Sequence, residues 1–124
     1  MVIDDSPIDR LLVEKMVRKA EFAEEVISFE SAKTALNYFT DNADVENSIP
    51  DILFLDINMP EMNGFDFLDA CKSLPEPVKS KCRIIMLSSS LHNEDKSRAL
   101  GHPYVEGFLN KPLTFEVLEA LKKK

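Results

Sequence analysis

Apolar residues along this chain gather in two alternating kinds of segment. Short runs at Met1–Ile3, Glu25–Phe29, Ile52–Leu55, Ile84–Leu87 and Val105–Leu109 are rich in Val, Ile, Leu and Phe, several of them with little polar alternation. That pattern suits strands covered on both faces. Between them the apolar positions follow a helical period. Ile8, Leu12, Met16 and Ala20 recur every four residues, with Val13 and Val17 beside them. Ala32, Ala35, Leu36 and Phe39 form a second stripe, and Phe67, Leu68, Cys71 and Leu74 a third. A short fourth helix is expected from Asn93 to Leu100, and Val117, Leu118 and Leu121 mark a fifth.

The punctuation supports these boundaries. Ser6-Pro7 reads as an N-cap followed by proline at the first helical position, with Asp9 in the first turn. Asn93 is placed to cap the fourth helix, whose first turn carries Glu94 and Asp95, and Gly101 to end it. Thr114 is placed to cap the fifth. Pro75 and Pro77 predict a loop over Leu74–Lys81. Five strands alternating with five helices imply an α/β fold: a five-stranded parallel sheet, doubly wound by right-handed crossovers. Ligands in such folds bind at the carboxyl ends of the strands.

Composition narrows the function classes. The 124 residues fit one domain, and a net charge of −7 disfavours binding to nucleic acid or anionic membranes. No apolar run approaches the roughly 18 residues of a membrane helix. The acidic start from Met1 to Arg10 does not read as a signal peptide, so a cytoplasmic location is expected. Cys71 and Cys82 form no C-x-x-C pair, and His92 and His102 complete no zinc spacing. Both cysteines read as reduced thiols.

The chemistry lies at the strand ends. Strand one ends in Asp4-Asp5, strand three in Asp56 and strand four in Ser88, while strand five leads into Lys111-Pro112. Three carboxylates, a hydroxyl and an ammonium therefore converge on one edge. Three carboxylates repel one another unless a cation joins them. Hard oxygen donors with room for water favour Mg²⁺. A lysine and a hydroxyl beside it suit the equatorial oxygens of a phosphoryl group, and a carboxylate can act as the nucleophile. Any one of these elements alone is an ordinary turn or cap; their joint occurrence at four strand ends is what points to a site.

The chain resembles a receiver domain of two-component signalling over essentially its whole length, 1–124, as a single domain. The matching residues are Val2-Ile3-Asp4-Asp5 with Ser6-Pro7; Asp51 to Pro60 with Met62-Asn63-Gly64; Ile85-Met86-Leu87-Ser88-Ser89; and Asn110-Lys111-Pro112-Leu113. The resemblance implies a flavodoxin-like (βα)5 fold with Asp56 as phosphoacceptor. It further implies Asp5 as a direct Mg²⁺ ligand, Asp4 acting largely through water, and Asn58 supplying its backbone carbonyl. Ser88 resembles the switch hydroxyl, Lys111 the lysine that meets the phosphoryl group, and Phe108 the switch aromatic. The Lys111–Pro112 bond is typically cis in this family. Three departures stand out: the first strand is short, Ser88-Ser89 replaces the commoner threonine and small apolar residue, and Phe108 lacks the frequent tyrosine hydroxyl.

On this reading the donor is a histidine kinase or histidine phosphotransfer protein, and the chain is no enzyme beyond its own phosphorylation and dephosphorylation. With the last helix running into Lys122-Lys123-Lys124, the output is expected in another protein. Its docking face would be the one formed by the helix at Asn93, strand five and the last helix. A phosphotransferase of the haloacid dehalogenase type would need an Asp two residues after its nucleophile, but Asp4 is followed there by Ser6 and Asp56 by Asn58. A flavodoxin-like binding module would need a phosphate-cradling loop where Asp4-Asp5-Ser6-Pro7 has the wrong charge. A degenerate receiver acting only as a binding module is disfavoured by the complete set of acids, Ser88 and Lys111.

Overall fold

A computed structural model of the chain describes residues 1–42, 44–45, 48–89 and 93–122. Its strands are β1 (Val2–Ile3), β2 (Ser28–Phe29), β3 (Ile52–Asp56), β4 (Arg83–Ser88) and β5 (Val105–Asn110). The helices are α1 (Pro7–Lys19), α2 (Ala32–Asn42), α3 (Gly64–Ala70), α4 (Glu76–Lys81), α5 (Asn93–Leu100) and α6 (Phe115–Lys122), with a 3₁₀ turn at Cys71–Ser73 after α3. All strand pairs are parallel, in the order β2-β1-β3-β4-β5. The chain steps from β1 outward to β2, then returns to the other side of β1 for β3. The switch point therefore lies between β1 and β3.

Alternation along the strands divides the core into two layers. Ile3, Leu53, Leu55, Ile84 and Met86 face Ala32, Ala35, Phe39, Phe67, Leu68 and Ala99. Their neighbours Val2, Phe54, Ile85 and Leu87 face Val13 and Val17 of α1 and Leu118 of α6. Both faces are thus covered, which is why the strands read as continuous apolar runs. No helix among the described residues is long and apolar enough to cross a membrane.

Three expectations are corrected. The first half of the α1 stripe is not buried: Ile8 is 70% and Leu12 45% exposed, whereas Val13, Val17 and Ala20 are buried and Met16 packs against them. The i, i+4 pair Val13/Val17 faces the sheet instead. The second correction is β2, expected from Glu25 but observed only at Ser28–Phe29. It pairs with β1 in the register Val2↔Ser28 and Ile3↔Phe29, and the ladder starts at Ser28.

The third is the loop expected over 74–81, which holds α4. Proline is tolerated in a first turn, where its missing N–H has no intrahelical acceptor. Pro77 sits there, with Glu76 in the first turn, Lys79 and Lys81 in the last, and Val78 buried. The other caps match. Ser6 Oγ accepts from Asp9 N at 3.3 Å and Thr114 Oγ1 from Val117 N at 3.3 Å. Gly101 follows α5 directly. The cap expected at Asn93 concerns a side chain outside the described residues. Cys71 and Cys82 are free and buried, and burial pushes each thiol up to about 12.

Candidate functional site

Asp4 and Asp5 leave the end of β1 beside the switch point. Asp4 is 1% exposed and Asp5 is exposed. The Asp4 backbone continues the ladder, its N–H donating to Phe29 O at 3.1 Å. Its Oδ1 accepts from Ser6 N at 2.9 Å, and its carbonyl accepts from Arg10 Nη1 at 2.7 Å. This carboxylate is therefore fixed from three directions, while Asp5 reaches toward solvent.

Asp56 is the last residue of β3 and is 5% exposed. The next residue ties the turn down: Ile57 N donates to Leu87 O at 3.2 Å, and Gly64 N to Ile57 O at 2.8 Å. Gly64 is required by close approach. A Cβ there would lie 2.6 Å from the Asp56 carbonyl oxygen and 2.9 Å from Met86 Cε. Beyond the turn α3 is held by a capping box, with Asn63 Oδ1 accepting from Asp66 N and Asp66 Oδ2 from Asn63 N.

Asp4, Asp5 and Asp56 each bring one carboxylate oxygen to within 4.8 Å of the others. Burial first, then the Asp4 charge, pushes the Asp56 carboxyl up to about 6, against the opposing pull of Lys111. Lys111 reaches the same place from the loop after β5, where its peptide bond to Pro112 is cis. Its N–H donates to Ser88 O at 2.8 Å, anchoring the loop to the end of β4. Its Nζ lies 2.7 Å from Asp4 Oδ2, 2.8 Å from Asp9 Oδ2 and 3.3 Å from Asp56 Oδ1. Burial alone would lower this ammonium, but the hydrogen bonds to Asp4 and Asp9 and the Asp56 charge outweigh it and hold it above its ordinary value.

Ser88, the last residue of β4, is fully buried beside the Lys111 loop. Asn58 is exposed in the turn two residues past Asp56 and outside the carboxylate cluster. Phe108 lies on β5 opposite Met86, half-buried against the larger core layer. The three carboxylates and the ammonium expected at the edge thus meet there, and the Ser88 backbone anchors the lysine loop beside them. Sequence reasoning missed Asp9, read only as a first-turn acid. Its signal was topological: the first turn of α1 begins at the carboxyl end of β1, so an acid there borders the site.

As a donor set, three carboxylates and no soft ligand fit a hard divalent cation. A buried acid nearly matched to neutral pH, flanked by an ammonium and a hydroxyl-bearing strand end, can serve as a nucleophile whose product charge is met at once.

Residues 1–122 match the family model described as the response regulator receiver domain. A two-component response regulator, ORR1 of Oryza sativa subsp. indica, is 31% identical over 99% of this chain and 53% of its own length. The chain thus spans about half the length of the first curated relatives it matches, the two ORR1 proteins. The structure of a two-component response regulator from Cytophaga hutchinsonii superposes with a TM-score of 0.90 at 33% identity, covering 98% of this chain and 91% of that one. A response regulator receiver protein from Dyadobacter fermentans gives 0.84 at 34% identity, covering 98% and 92%.

Proposed function

The chain belongs to the response regulator receiver domain family, and from that premise we propose that it accepts a phosphoryl group on Asp56. The observation that carries this is the Lys111 ammonium set across Asp4 and Asp56 at the edge where Asp5 joins them. The donor is a histidine kinase or phosphotransfer protein. An Asp56 oxygen attacks phosphorus in line, the P–N bond to the donor imidazole breaks, and an aspartyl phosphate remains. Lys111 holds a phosphoryl oxygen through one of its N–H groups, and the Ser88 hydroxyl donates to another. The hydrogen bond from Lys111 to Asp4 helps keep the lysine protonated. Hydrolysis later returns the carboxylate.

Asp5 and Asp56, with the Asn58 carbonyl, would hold Mg²⁺ directly, and Asp4 through water. The cation supplies neutralisation of the charge on the carboxylates and the incoming phosphoryl group. The chain acts as a cytoplasmic signalling switch rather than a turnover enzyme. Drawing Ser88 inward leaves space beside β5 that the Phe108 ring can fill. The changed face of α5, β5 and α6 then meets a downstream protein.

Intact-mass measurement after incubation with Mg²⁺ and acetyl phosphate tests this. A transient gain of one phosphoryl group is expected, lost in EDTA and in Asp56→Asn. A gain that survives Asp56→Asn at the same rate would refute the assignment.

A further inference from the structure

The Lys111 ammonium has three N–H groups, and three carboxylates surround it: Asp4 at 2.7 Å, Asp9 at 2.8 Å and Asp56 at 3.3 Å. The two short contacts define where the nitrogen sits, and the third donor is left for Asp56. A lysine on its flexible four-carbon stem cannot be placed by one anchor alone. We propose that Asp9 is a positioning residue that acts through Lys111, holding the ammonium so that its free donor meets the phosphoryl group on Asp56. This rests on the phosphoacceptor reading given above.

Both anchors are rigid. Asp4 is fixed by Ser6 N, by Arg10 on its carbonyl and by the β1–β2 ladder. Asp9 sits on the first turn of α1, whose start is pinned by the Ser6 cap through Asp9's own N–H. Asp4 comes from a strand and Asp9 from a helix, so the ammonium is held between two separate elements. Asp9 is also outside the set of carboxylates that gather for a cation. Its side chain is 34% exposed, so the core does not depend on it. Its carboxylate therefore contributes to the reaction through the placement of Lys111 and not through the metal.

The competing account is that Asp9 merely complements the dipole of α1 as a first-turn acid. That role changes helix stability and leaves the lysine alone. Three measurements on Asp9→Asn, with Asp9→Glu beside it, separate the two. The first is the rate of phosphorylation by acetyl phosphate at saturating Mg²⁺, read by intact mass. The second is solvent exchange of the Lys111 ammonium protons by NMR of lysine-labelled protein. The third is Mg²⁺ affinity without phosphodonor.

Asp9→Asn should slow phosphorylation roughly three- to tenfold, a modest loss of orientation. It should also speed ammonium exchange and leave the Mg²⁺ dissociation constant within about threefold. Asp9→Glu, which restores the carboxylate, should recover most of the rate. An unchanged or faster rate in a folded Asp9→Asn would overturn the proposal, as would unchanged Lys111 exchange. If Asp9→Asn does not fold, Asp9→Ser carries the same comparison, since serine is well accepted at the start of a helix. Failure of the wild type to gain a phosphoryl group would refute the phosphoacceptor reading instead, and the exchange measurement would still decide whether Asp9 anchors Lys111.

Discussion

Asp56→Asn should stabilise the metal-free protein at neutral pH. Asp56 is buried beside Asp4, and its carboxyl is pushed from 3.8 up to about 6. A folded state that holds a proton more tightly than the unfolded chain is penalised once that proton leaves. The penalty is absent below the unfolded value, grows as pH rises through the window between 3.8 and about 6, and is complete above it. Linkage puts the cost at about 3 kcal/mol at pH 7, about 1.5 kcal/mol at pH 5 and about 0.5 kcal/mol at pH 4. Asparagine keeps the shape and an oxygen for Lys111 but never ionises. Its advantage should follow those figures and fade toward acid. Urea unfolding in EDTA, followed by circular dichroism at the three pH values, measures it. Equal stability at pH 7, or an advantage that stays constant down to pH 4, would show that the acidic cluster is not a store of repulsion.

The other expectations can be tested alongside. Gly64→Ala would place a Cβ 2.6 Å from the Asp56 carbonyl oxygen, so it should cost about 1–3 kcal/mol by overpacking and slow phosphorylation; unaltered melts and rates would contradict the close approach. Glu61 holds a φ of 66°, where its Cβ already carries a left-handed penalty of about 1–2 kcal/mol, so Glu61→Gly should raise the melting temperature and the β-branched Glu61→Val should lower it; unchanged melts in both would contradict the strain. Mg²⁺ at ten times its dissociation constant should stabilise the wild type by about 1.4 kcal/mol; calorimetry of Asp5→Asn at the same concentration should show most of that gain gone.

The alternation of apolar runs and helical stripes made the doubly wound sheet legible, because strands covered on both faces carry few polar residues. The strand ends were legible for the same reason. A polar residue that closes a buried run stands out, and four such ends meet wherever the sheet is parallel. Interactions set by neighbours were not legible. Ile8 and Leu12 have the right period to be buried, yet α1 leaves them exposed and turns Val13, Val17 and Ala20 to the sheet. Val26 has strand character, but it packs against the layer of Val13 and Leu118 from outside the ladder, which starts at Ser28. Pro77 reads as a breaker until Val78 is seen to bury. Asp9 looked like a dipole acid because its partner Lys111 lies 102 positions away, beyond any local pattern.

That separation has a consequence for how the molecule assembles. Asp4 and Lys111 are 107 positions apart, and closing a loop of that length costs about 4 kcal/mol in its logarithmic term alone. β5, which leads to the lysine, is an edge strand whose one partner in the sheet is β4. β1 and β3 can pair before it docks, bringing Asp4 and Asp56 together with no ammonium between them. In that order of events the carboxylates meet before their counter-charge arrives. Arrival of the last strand both closes the sheet and relieves the repulsion. Fraying of that edge reverses both events at once, so proteolysis near β5 should become less frequent as Asp56 ionises and holds Lys111 more strongly.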